Sequence, residues 1–223
     1  MGGFLEKLSQ LLILLWTGVI CLSFRYKGFV LDTYDSVLKY TLRKFNQTFL
    51  LFVPLFFINS ERLFKYNFTL IYICISIGTP LFYWIINVKK VRLLIADFTY
   101  TPGEIPTYIY IINVINSLLL IIGEELFFRY IIYYYFSDNG SLTVVFLSNF
   151  LFILSHIISN PNVYSKFDIL RQIFFSTLCC YTLLQTNNII YAISIHLMYN
   201  LPFILVLIKR AIFNKDNIGS KYQ

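Results

Sequence analysis

A chain of 223 residues that is 58% hydrophobic and only 13% charged is not an ordinary soluble domain, in which apolar residues make up nearer half of the chain and charged ones about a quarter. The net charge of +7 would suit nucleic acid, but Lys and Arg are scattered through short loops between apolar blocks and line no single face, so nucleic acid is not expected as a partner. What remains is an all-α polytopic transmembrane bundle, one domain over residues 1–223 surrounded by membrane lipid. Apolar blocks able to cross ~30 Å of hydrocarbon lie at residues 8–24, 47–58, 67–88, 107–136, 142–159, 169–185 and 188–208, which makes about seven spans. The second is the shortest; Pro54 breaks it, and it is either re-entrant or extends back into the amphipathic stretch 37–46. Pro80 is expected to kink the third.

Positive residues assign the sides. Fourteen Lys and Arg fall in the loops 25–44, 89–92, 166–171 and the tail 209–221, against three in the alternate loops, which puts the amino terminus outside and the carboxyl terminus in the cytoplasm. Cys21, Cys74, Cys179 and Cys180 all lie in apolar segments without a CxxC pair, so they read as small buried residues and neither disulfides nor a metal site is expected.

The fourth block carries Glu124, Glu125 and Arg129 in the middle of about thirty apolar residues. Such charges are costly in a bilayer, roughly 2.5 to 3.5 kcal/mol each on insertion scales, so they face a polar cavity or pair with one another. Glu125 and Arg129 stand at i and i+4 and can neutralise each other, which leaves Glu124 as the spare carboxylate. The only two histidines of the chain are also inside spans: His156, four residues after Phe152, and His196, four before Asn200. Counted from the turn at Asp138 and Asn139, Glu124 and His156 sit roughly 21 and 25 Å deep, and from Asn187 His196 and Asn200 sit about 13 and 20 Å deep, at ~1.5 Å per residue. One mid-membrane site can therefore take all four.

A carboxylate beside an imidazole can draw a proton from water, and a second imidazole with a carboxamide can donate to the oxyanion of a tetrahedral intermediate, worth ~2.7 to 4 kcal/mol per donor. Hydrolysis of an amide is the chemistry this set suits. The aromatic run 130–136 reads as an interfacial belt, whereas Tyr108, Tyr110, Asn113 and Asn116 make one face of the fourth span too wet for lipid and turn it inward.

Glu124-Glu125-xxx-Arg129, Phe152-xxx-His156 and His196-xxx-Asn200, in this order on successive spans, resemble the motifs of the CPBP family, the intramembrane glutamic endopeptidases that include type II CAAX prenyl proteases and bacteriocin-processing or self-immunity proteins. The match covers residues 107–208, the motif-bearing core. It implies that Glu124 and His156 activate the attacking water, that His196 and Asn200 form the oxyanion site, and that Glu125, Arg129 and Phe152 support them. It also implies no obligatory metal or other cofactor, a peptide or lipidated-protein substrate, a site open to the cytosolic side, and residence in a bacterial plasma membrane. Family members often have eight spans where seven are counted here.

Three other readings compete. Glu124, His156 and His196 could ligate zinc, although no HExxH helix is present. A non-proteolytic bacteriocin-immunity or membrane-scaffold protein could carry the same residues for binding. A proton-coupled transporter also uses intramembrane Glu and His, but no repeat of the spans is visible.

Overall fold

The computed structural model describes residues 2–26, 37–58, 69–99, 106–159 and 165–220. They form helices: α1 (Gly2–Tyr26), α2 (Val37–Phe52) with a 3-10 turn at Val53–Phe57, α3 (Leu70–Ile86), α4 (Val88–Thr99), α5 (Thr107–Glu125), α6 (Ile132–Phe136), α7 (Ser141–Ser159), α8 (Lys166–Thr186) and α9 (Ile189–Ser220). Between α5 and α6 the chain continues without a break as a π-helical stretch, Leu126–Ile131. Among the described residues five segments are long and apolar enough to cross a bilayer, 5–25, 107–139, 141–159, 166–186 and 189–213, and α3 is a shorter apolar helix. The protein is a polytopic helical bundle.

The second of the seven expected spans is the one that changes. Its residues belong to the end of α2, a helix that begins at Val37 and carries Lys39 and Lys44 in its first half, so its apolar part is too short to span alone. Pro54 ends it in the 3-10 turn, as its missing N–H requires. In α3, by contrast, Pro80 lies inside a continuous helix.

The long apolar helices bury a stripe and leave the rest exposed. On α1 the stripe is Ile13, Thr17, Ile20 and Cys21, packed against α7, while Leu8, Leu11, Leu12 and Leu15 face outward. Asn113 and Asn116 of α5 do turn inward: Tyr40 donates to Asn113 Oδ1 at 2.7 Å and Thr48 to Asn116 Oδ1 at 2.9 Å, so both join α5 to α2. The aromatic run after Arg129 is divided between core and surface, with Tyr133 and Tyr135 half-buried. Tyr130, Ile131, Ile132 and Phe136 are buried among the neighbouring helices and Tyr134 alone is exposed, because the bundle surrounds this end of the long helix. Cys21, Cys179 and Cys180 are buried free thiols, but Cys74 faces outward from α3.

Consecutive spans alternate in direction. Tyr133 donates to Asn187 Oδ1 and Gln10 to the Tyr135 carbonyl, which gathers the start of α1, the end of α6 and the α8–α9 turn at one end of the bundle. At the opposite end Arg171 bonds Tyr83, and the Arg210 guanidinium lies over the Tyr110 ring, so the tail of α9 returns beside the start of α5. This second end holds Lys166, Arg171, Lys209 and Arg210, together with the exposed Lys89, Lys90 and Arg92 of α4, and is strongly basic.

Candidate functional site

Gly123 sets the position of the acidic pair. A Cβ there would stand 3.1 Å from Leu51 Cβ and 3.1 Å from Phe52 Cε2, closer than such contacts normally fall, so only glycine lets α2 pack this tightly against α5. Immediately beyond it the backbone widens into the π-helical stretch, a form found mostly as short insertions and frequently at functional sites. Glu124 is 7% exposed, Glu125 0% and Arg129 1%, in a region the described structure surrounds on all sides.

Glu125 is held from two directions. Its Oε2 lies 3.3 Å from Arg129 Nε and its Oε1 2.7 Å from His196 Nδ1. Because neither Glu125 Oε2 nor Arg129 Nε is aligned for a hydrogen bond, their attraction is Coulombic, whereas the histidine contact is a short charge-assisted hydrogen bond in which Nδ1–H donates. Arg129 also donates from Nη1 to Ser148 Oγ at 3.2 Å, and its guanidinium lies 4.4 Å from the centre of the Phe152 ring. A buried carboxylate, a buried guanidinium and an imidazole thus link α5, α7 and α9.

Glu124 points between the two imidazoles. Its Oε1 lies 4.0 Å from His156 Nε2 and its Oε2 3.7 Å from His196 Nε2, distances too long for direct hydrogen bonds and close to those a shared solvent molecule would bridge. His156 Nδ1 stands 2.9 Å from the Phe152 carbonyl, which only accepts, so that nitrogen carries a proton and Nε2 is the one turned towards Glu124. Phe152 packs against both imidazoles, with ring centres 4.4 Å from His156 and 5.9 Å from His196. Asn200 donates one amide hydrogen to its own helix at the His196 carbonyl, 3.2 Å away, and keeps a second.

All of these except Glu124 border a cavity of about 350 Å³ lined by Glu125, Arg129, Phe152, His156, His196 and Asn200 on one side and by residues of α8 on the other. Glu124 is not itself a lining residue; its carboxylate lies against the two imidazoles that are. From Cys179 to Asp168 the α8 wall runs eleven residues, about 16 Å, towards the basic end of the bundle. The structure therefore brings together His156, His196 and Glu124 and sets Asn200 on the same cavity, with Glu125, Arg129 and Phe152 directly behind them.

The opposite wall is not legible as a wall in the sequence: Asp168, Gln172, Phe175, Ser176 and Cys179 of α8, joined by Tyr199 of α9. Its one trace there is the recurrence of Asp168, Gln172 and Ser176 at every fourth residue of an apolar helix. Nor is the sharing of Glu125 between Arg129 and His196 legible. Tyr108, Tyr110, Asn113 and Asn116 do not line the cavity. Among the described residues no group of three His, Cys, Asp or Glu side chains forms a metal-binding set.

A family model described as type II CAAX prenyl endopeptidase Rce1-like matches residues 106–202, which contain all of the motif residues. No curated protein and no solved structure matches the chain. The family match implies CAAX protease-type peptidase activity within the membrane, with lipid as surroundings and a peptide or protein as substrate. The match of residues 106–202 to the Rce1-like type II CAAX prenyl endopeptidase model thus supports the CPBP family that the motifs resemble.

Proposed function

We propose that this protein is an intramembrane glutamic endopeptidase that cleaves a membrane-associated or lipidated peptide with water activated by Glu124 and His156. The observation that carries this reading is the Glu124 carboxylate lying 4.0 and 3.7 Å from two imidazoles that line a cavity inside the bundle. Glu124 Oε1 and His156 Nε2 are both acceptors, so a water between them donates a hydrogen to each and turns its lone pair towards the cavity. Attack on the scissile carbonyl passes the water proton to this pair and later to the leaving amine. Charge balance favours these roles. Glu125 is offset by Arg129, and Glu124 by an imidazolium at His196, which leaves His156 neutral and able to accept. With Nδ1–H committed to Glu125, His196 aims Nε2–H at the oxyanion, and the second amide hydrogen of Asn200 joins it.

The basic end of the bundle, to which the α8 wall descends, is the cytoplasmic end by the positive-inside tendency, with the amino terminus outside. Substrate then enters from the cytosolic leaflet. Replacing Glu124 with Gln keeps the size of the side chain and removes the base; cleavage of a farnesylated CAAX peptide by the purified protein should stop while the variant still inserts and unfolds at the parent temperature. Undiminished cleavage by Glu124→Gln would reject the assignment.

A further inference from the structure

Helix α8 crosses the bilayer with a polar stripe on one face. Asp168, Gln172 and Ser176 all line the cavity, while Phe167, Leu170, Ile173 and Phe174 face outward. Two of the three are committed elsewhere. Asp168 closes a capping box with Ser165 and pairs with Arg171, and the Ser176 hydroxyl donates to Asn149 Oδ1. Gln172 has no such use: its Oε1 is shut off from solvent and accepts no hydrogen bond, and no bond from its amide nitrogen is formed among the described residues.

A glutamine kept in a membrane helix to join neighbours would be paired. Asn149 is paired with Thr177, and Asn116 with Thr48. Gln172 is half-buried, and its buried, unpaired carbonyl oxygen carries a desolvation cost that a donor entering the cavity would relieve. The carboxamide offers one acceptor and two donors, which complement the N–H and C=O of an extended peptide. Around it the walls are apolar, Phe152, Phe175 and Tyr199, and suit side chains of the same peptide. Gln172 lies one helical turn from Ser176, about 6 Å, a distance that two residues of an extended strand cover.

We propose that Gln172 anchors the substrate backbone by turning its carboxamide into the cavity, where Oε1 accepts a peptide N–H and Nε2 donates to a peptide carbonyl, so that the chain lies extended along α8 with the scissile bond at the imidazoles. This rests on the endopeptidase reading for its substrate class. Backbone recognition tolerates sequence, so specificity falls to the apolar walls.

The test is a binding cycle. Full-length protein carrying Glu124→Gln, in phosphatidylcholine nanodiscs, is titrated with a fluorescent S-farnesyl CAAX peptide and with its relatives N-methylated at one backbone nitrogen each, empty nanodiscs being subtracted. Gln172→Met, which keeps length and loses both polar atoms, should weaken binding of the parent peptide about threefold to tenfold, as one or two neutral hydrogen bonds would. One N-methyl position should cost about as much in the Gln172 protein and nothing further in Gln172→Met. Equal N-methyl losses in both proteins, unchanged affinity in Gln172→Met, or no binding of the parent peptide would overturn the inference. A cycle that closes as expected while the protein with native Glu124 cleaves nothing supports Gln172 as a peptide anchor and rejects the protease; cleavage with an additive cycle does the reverse.

Discussion

Arg129→Met tests whether the buried ion pair is the clamp of the site. The change removes the guanidinium 3.3 Å from Glu125 Oε2 and leaves a 0% exposed carboxylate with His196 as its remaining partner. Breaking a buried pair on one side costs about 3 to 5 kcal/mol, because the surviving charge stays desolvated without compensation. At about 2 to 4 °C per kcal/mol for a chain of this size, the midpoint should fall by about 6 to 20 °C. The thiols supply the assay: a fluorogenic thiol reagent reads unfolding as Cys21, Cys179 and Cys180 become accessible, over a baseline from Cys74. Combining Arg129→Met with Glu125→Gln removes both charges, and the new amide oxygen still accepts from His196, so at least half of the loss should return. The bond to Ser148 and the cation–π contact with the Phe152 ring stay lost, so recovery is incomplete. If the double variant is no more stable than Arg129→Met alone, or the single change costs less than about 1 kcal/mol, the pair does not hold the site by charge compensation.

Two further changes separate packing from chemistry. Gly123→Ala places a methyl 3.1 Å from Leu51 Cβ, a rigid atom that cannot swing aside, so α2 must give way. Overpacking costs about 1 to 3 kcal/mol and the better helix propensity of Ala returns about 1, so thermal unfolding should show a small net loss and peptide cleavage a larger one, as Glu124 shifts; unaltered cleavage would show that the close approach does not position Glu124. Asn200→Ala should lower kcat about 10²- to 10³-fold with KM little changed, the pattern of a donor used only in the transition state. A loss confined to KM would make Asn200 a binding group.

Much of the site was legible because helical rise is nearly constant. Residue counts from the turns at Asp138 and Asn187 are enough to set Glu124, His156, His196 and Asn200 at compatible depths, and the apolar length of α1 and α7 to α9 is enough to make them spans. Rotation about a helix axis is not readable in the same way, since it depends on which neighbours pack where. That is why Tyr130 and Phe136, which read as part of a belt, are instead buried: the π-helical stretch Leu126–Ile131 changes the angular order of the side chains, and the bundle encloses these two while Tyr134 stays exposed.

The linear order of residues, by itself, determined that this is a membrane bundle, that three spans bring ionisable and amide groups to one level, and that Glu125 has a cation one turn away. Tertiary structure alone decided that His196 bonds to Glu125 and faces Glu124 across 3.7 Å, that α2 approaches α5 at Gly123, and that α8 supplies the opposite wall with Gln172 unpaired. The difference has a physical cause: depth and charge pairing within one helix follow from local geometry, whereas contacts between helices follow from how side-chain volumes fit when the whole bundle packs.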